Sequence, residues 1–152
     1  MAAVVTALIL AGAADAASTA TLTQAESSLL TAMNEVRLAN GVQPLRADTR
    51  LERAARAHSS KMLRTGTFYH GAFNARIRRT GVHAPRVGEN LAWGQGELGS
   101  PLQTLQLWLN SPPHRKNLLA RRWRDLGIAF ERGHMFGYDG VALWVMQFGR
   151  RR

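Results

Sequence analysis

The chain contains no cysteine. Thiolate metal sites, thiol nucleophiles, iron–sulfur clusters and disulfide scaffolds are therefore excluded. Proton transfer and metal ligation must rest on five histidines and the carboxylates. Three of these groups carry the most weight. His70 follows an aromatic pair, Phe68-Tyr69; Glu89 alternates with Leu91 and Trp93 on one side of an expected strand; His114 follows Pro112-Pro113. A carboxylate on an apolar face must find a partner there. Two imidazoles and one carboxylate can also make a three-ligand zinc site with an open fourth position. The intervals from 70 to 89 and from 89 to 114 match no local metal signature, such as two histidines one helical turn apart. On spacing alone, three separate hydrogen-bonded polar residues stand as the competing reading.

Ser111 precedes His114 by one helical turn and could pair with it as nucleophile and base. No Gly-x-Ser-x-Gly elbow surrounds it, and a Ser between a helix and a proline is ordinarily a cap. His58 falls on the apolar face of its helix and reads as a satisfied core histidine. His83 and His134 read as solvated loop residues, and Trp93 and Trp108 as core. Asn34 and Arg37 are expected to tie helices to loops by hydrogen bonds, with Asn90 doing the same beside the site.

The elements that must position these groups are marked locally. Thr23-Gln24-Ala25-Glu26 is a capping box, and Leu22, Ala25, Leu29, Met33 and Val36 form one helical stripe that Asn40-Gly41 ends. Val42–Leu45 reads as a connector. Asp48 caps a second helix that ends at Thr65-Gly66, and a short third helix is expected between Phe68 and Gly81. Val87–Trp93 alternates as a strand. Ser100 caps a helix bearing Trp108, with proline at its first position, and Pro112-Pro113 breaks it. Leu126, Ile128 and Phe130 alternate in a strand. Asp139-Gly140 marks a turn, and Ala142–Phe148 closes as a strand with Trp144, Met146 and Phe148 on one face. Helices first and strands late predict one α+β domain, spanning residues 22–150.

At 152 residues and 45% apolar composition, the chain can bury a single core without a covalent staple. Residues 1–17 read as a signal peptide: an apolar run too short to span a bilayer comfortably, then small residues around Ala14 and Ala16. The expectation is a secreted protein, extracellular or in the cell envelope. The net charge of +10 gathers at Arg76–Arg79, Arg115-Lys116, Arg121–Arg124 and Arg150–Arg152. Basic surfaces attract polyanions. For an exported protein these are anionic polymers of the cell wall or an anionic lipid surface. No nucleic-acid-binding motif is present, so no nucleic-acid partner is expected. A solvated arginine-rich surface is the competing reading.

A set of ordered words extends this picture. They are Met33-Asn34-Glu35-Val36-Arg37, Ala54-Ala55-Arg56-Ala57-His58, Phe68-Tyr69-His70, Gly88-Glu89-Asn90-Leu91-Ala92, Trp108–Leu119 and Asp125-Leu126-Gly127-Ile128-Ala129. In order and spacing they resemble the CAP superfamily, which includes cysteine-rich secretory proteins, pathogenesis-related proteins and bacterial SCP-like domains. The resemblance implies a three-layer α–β–α sandwich with a central antiparallel sheet and a large cleft. It also implies that His70, Glu89 and His114 line that cleft and hold a divalent metal such as Zn2+, with Ser111 and Asn90 beside them. Eukaryotic relatives carry a Glu where this chain has Ser111, and the bacterial branch generally has the Ser-Pro-x-His arrangement. The implied function is a secreted binding module for lipid, sterol or a cell-envelope component. A metal-dependent extracellular hydrolase using the same cleft, and an interaction module with purely structural histidines, are the alternatives.

Overall fold

The computed structural model describes residues 21–150. The expected signal segment, residues 1–17, lies outside the described residues. Helix α1 (Gln24–Ala39) starts at the expected capping box: the Thr23 hydroxyl accepts from Glu26 N–H at 3.3 Å, and Glu26 accepts from Thr23 N–H at 2.8 Å. Helix α2 (Thr49–Thr65) is capped by Asp48, which accepts from the N–H groups of Arg50 and Leu51. Gly66 ends it at φ 63°, a conformation that costs glycine little. A short α3 (Phe73–Arg78) follows, then β2 (Gly88–Gly94), α4 (Pro101–Asn110) and α5 (Pro112–Leu118). Strands β3 (Asp125–Met135) and β4 (Tyr138–Gly149) form a long hairpin.

The four strands lie in the order β1-β3-β4-β2, where β1 is the two-residue segment Arg46–Ala47. The sheet is antiparallel except for β1, which pairs parallel with β3. On one face Leu29 and Met33 of α1, Leu105 and Trp108 of α4 and Leu118 of α5 meet Leu126, Ile128, Trp144, Met146 and Phe148. On the other face Ala55 and Met62 of α2 meet Leu91, Ala129, Leu143 and Val145. This is the expected α–β–α sandwich, with its strand alternation dividing the two cores.

Three local expectations change. Pro112-Pro113 ends α4 but also opens α5, because proline's missing N–H costs nothing in a first helical turn. The chain reverses at Phe136-Gly137, with φ of 56° and 80°, not at Asp139-Gly140. Both central residues of this two-residue turn have positive φ, and a phenylalanine there carries no turn signature. Gly140, at φ 68°, sits in β4 where the register shifts between Gly133 and Met135, so the Asp-Gly signal marks a bulge. His134 therefore lies on β3, exposed, with Nδ1 2.7 Å from Asp139 Oδ1.

Gly127 sets how closely α2 approaches β3. A Cβ there would lie 2.0 Å from the backbone carbon of Leu51. Gly127→Ala is expected to lower stability by about 3 kcal/mol, read as a reduced urea midpoint.

Candidate functional site

Strand β2 is a sheet edge, and side chains from the next two helices cover it. Trp108 Nε1 of α4 donates to Leu91 O at 3.0 Å, and Asn117 Nδ2 of α5 donates to Glu89 O at 3.3 Å. Asn90, fully buried, donates through Nδ2 to His114 O at 3.1 Å and accepts from Asn117 at 3.0 Å. Edge cover thus carries α5, and His114 with it, to the strand that bears Glu89.

The Glu89 side chain has no solvent exposure. Its Oε1 accepts from His70 Nδ1 at 3.0 Å; its Oε2 accepts from Gln147 Nε2 at 2.9 Å and from Arg76 Nη2. Gln147 is the direct partner of Glu89 in the β2–β4 register, so the two share a face. Sequence reasoning singled out neither Gln147 nor Arg76 for the site. Arg76 was visible only as one cation in a basic run, and Gln147 only as a polar residue in an apolar strand.

His114 Nδ1 and Ser111 Oγ share a hydrogen bond of 2.8 Å. Ser111 occupies the N-cap position of α5, yet its hydroxyl caps no backbone N–H; it faces His114 instead. Burial, and then the nearby charge of His70, hold the His114 imidazole below the ordinary histidine value of 6.5. The network His70–Glu89–Asn117–Asn90–His114–Ser111 brings together every residue singled out for the site.

His58 supports this network from below. It is buried, and its Nε2 donates to Tyr69 O at 2.8 Å, the residue before His70. Its ring meets Tyr69 edge to face, with centroids 5.3 Å apart. Burial, then the Arg76 charge, lowers its pKa.

As a metal site the set is incomplete. Both Glu89 oxygens are engaged, and among the described residues no three of His, Asp and Glu stand as a metal-holding group. What the geometry leaves unpartnered is Nε2 of His70 and Nε2 of His114. His70 is half exposed at its side chain, and His114 is half-buried.

At the Trp93–Gly94 end of β2 opens a groove of about 560 Å³. Trp93, expected in the core, is 39% exposed on its wall. Strand β2 is the edge of the sheet, to the side of α2, which packs over β3 as far as Gly133; Phe136 from the hairpin tip packs against the indole at 4.9 Å. Leu98, Leu107 and Tyr138 complete the apolar wall, and the amides of Gln95, Gln103, Gln106 and Asn110 supply the polar groups. Among the described residues no charged side chain lines it. Asn110 precedes Ser111 in the chain, but none of His70, Glu89, Asn90, Ser111 and His114 is among the groove's walls.

His58 and His114 both have folded pKa values depressed below 6.5, so in that window the unfolded chain binds more protons than the folded one. Stability is expected to fall as pH drops from about 6.5 through the folded values, and His58→Gln/His114→Gln to flatten that slope. Denaturation midpoints against pH measure it.

The chain is similar to several known proteins. YkwD of Bacillus subtilis (strain 168), described as an uncharacterized protein, is 29% identical over 128 residues; the match covers 81% of this chain and 46% of that protein. The chain thus spans less than half the length of that relative. An outer surface protein of Borrelia burgdorferi superposes with a TM-score of 0.70 at 24% identity, covering 83% of this chain and 92% of its own. An extracellular protein containing an SCP domain from Bacillus anthracis str. Ames gives a TM-score of 0.69 at 26% identity, covering 88% and 45%. Residues 30–148, from within α1 to the end of β4, match the model of the cysteine-rich secretory protein family, and the chain belongs to that family, CAP.

Proposed function

We propose that this domain works outside the cell as a binding module, holding an apolar or amphipathic ligand in the groove at the Trp93 end of β2. The ligand class is a lipid or sterol, or an envelope component of similar polarity. One observation carries this reading: an uncharged groove with four large exposed apolar side chains on a protein of net charge +10. Leu98, Leu107 and Tyr138 are exposed by 71%, 52% and 50%. Apolar area held open to water in one concave patch gains free energy when a ligand covers it. The surrounding amides can orient a polar head. Extracellular placement draws support from two relatives described as an outer surface protein and an extracellular protein. It is also compatible with the absence, among the described residues, of any helix long and apolar enough to cross a membrane.

Hydrolysis fits the site less well. A general base needs a group poised on water, and the Glu89 carboxylate already accepts from three donors. The Ser111–His114 pair has nucleophile–base geometry, but among the described residues no carboxylate orients Nε2 of that imidazole.

A second reading rests on the free imidazole nitrogens. A carboxylate that accepts from Nδ1 of a histidine fixes the ring and its tautomer, the arrangement found behind metal-binding histidines. In this reading His70 and His114 would hold Zn2+ or another divalent ion, with Glu89 orienting His70 instead of ligating. The ion would supply Lewis acidity.

Displacement of a fluorescent fatty acid or sterol tests the first reading. Leu107→Glu and Trp93→Gln are each expected to weaken binding about tenfold or more, with His70→Ala/His114→Ala retaining it. Unchanged binding in both groove variants overturns it. Zinc calorimetry tests the second: one-to-one binding lost in His70→Ala/His114→Ala supports it, and no heat from the wild type at about micromolar zinc leaves the histidines structural.

A further inference from the structure

We infer that the domain carries a second site, independent of the groove, that binds a phosphoryl anion between α3 and the segments leading into β2 and β3. A hollow of about 290 Å³ opens there. Arg78 of α3, Arg86 before β2 and Arg122 before β3 contribute to its walls, together with Asn74, Phe73 and Trp123. Among the described residues no Asp or Glu lines it.

These arginines differ from those that hold the fold together. Arg46, Arg56 and Arg76 each pair with a carboxylate, and Arg37 donates to backbone carbonyls. Arg78, Arg86 and Arg122 have no carboxylate partner among the described residues. Three guanidinium groups around one hollow repel one another, and an anion between them relieves that repulsion.

Two further observations point to a ligand. The Arg122 guanidinium lies over the Trp123 ring, 4.2 Å from its centroid, and Trp123 stacks in turn on Phe148 at 6.0 Å. Stacking fixes the plane of one guanidinium and leaves its N–H edge for hydrogen bonding. Trp123 itself is buried, and its Nε1–H is a buried donor without a partner. Buried polar groups are nearly always satisfied, so an orphan donor on a residue that lines a hollow calls for an acceptor nearby, which that residue can reach by a small shift of its ring. Guanidinium and indole groups only donate. The complementary ligand is therefore negatively charged and rich in acceptor oxygens, as a phosphate monoester or diester is. The basic runs at Arg76–Arg79 and Arg121–Arg124, far apart in the chain, meet here.

The test follows the Trp123 indole resonance in 1H–15N spectra of the protein during titration with inorganic phosphate at constant ionic strength. A saturable shift is expected, weakened about tenfold or more in Arg78→Gln/Arg122→Gln and kept in Arg53→Gln/Arg64→Gln, which removes the same charge from α2. An equal loss in the two double variants, an equal response to sodium chloride, or no saturable shift with any probe overturns the site. Two further probes separate the sources of the anion. Saturation by inorganic phosphate or soluble glycerophosphoglycerol assigns free phosphate esters. A shift produced only by phosphatidylglycerol vesicles, and lost in Arg78→Gln/Arg122→Gln, assigns a lipid head group.

Discussion

The buried carboxylate of Glu89 is the constraint around which the rest of the site is arranged. An ion removed from water loses several kcal/mol of hydration, and removing its partners leaves that loss uncompensated. Glu89 sits on an edge strand with no exposure at its side chain, so its partners are obligatory. They come from three places: His70 after α2, Arg76 in α3 and Gln147 on the neighbouring strand. The loop from α2 to α3 is fastened at two neighbouring residues: Tyr69 packs on the core and is held by His58, and His70 pairs with Glu89.

The same logic recurs where the other layers meet. Glu26 begins as a helix cap through Oε2, which also accepts from Arg56 of α2 at 3.0 Å, while its Oε1 accepts from Phe130 N–H at 2.9 Å. Arg56 also pairs with Glu52. Arg37 is buried and donates to the carbonyls of Gln43, Leu118 and Ala120; burial, then the Arg124 charge, lowers its pKa to about 10. A domain without cysteine is thus held by buried, paired charges as well as by its apolar cores. Each such group stabilises only in company, which makes the arrangement specific.

Net charge conceals a division of labour among the arginines. One group is structural and paired inside the fold; another lies open on a basic hollow; and the groove on the edge of the sheet has no charge at all. Two surfaces of different chemistry follow from one short chain. Composition alone reports their sum and cannot separate them.

Local signals in the chain determined a great deal. The Thr23–Glu26 capping box, the caps Asp48 and Ser100, Gly66 and strand alternation act through near neighbours in the chain, and the helices they mark lie where expected. Asn34 and Arg37 tie α1 to the connector, and His58 is satisfied in the core, as their places on helical faces implied. Tertiary structure alone decided the remainder. Strand β1 exists only because β3 offers it a parallel edge, and the Phe136-Gly137 turn is held by the register of two long strands. Trp93 is exposed because its strand is the edge of the sheet, to the side of the helix that covers β3 and β4. The engagement of both Glu89 oxygens, and the meeting of Arg78, Arg86 and Arg122, depend on contacts between distant segments. Such contacts leave no periodic trace in the chain, because what selects them is the burial of a charge or the edge of a sheet once the layers have closed.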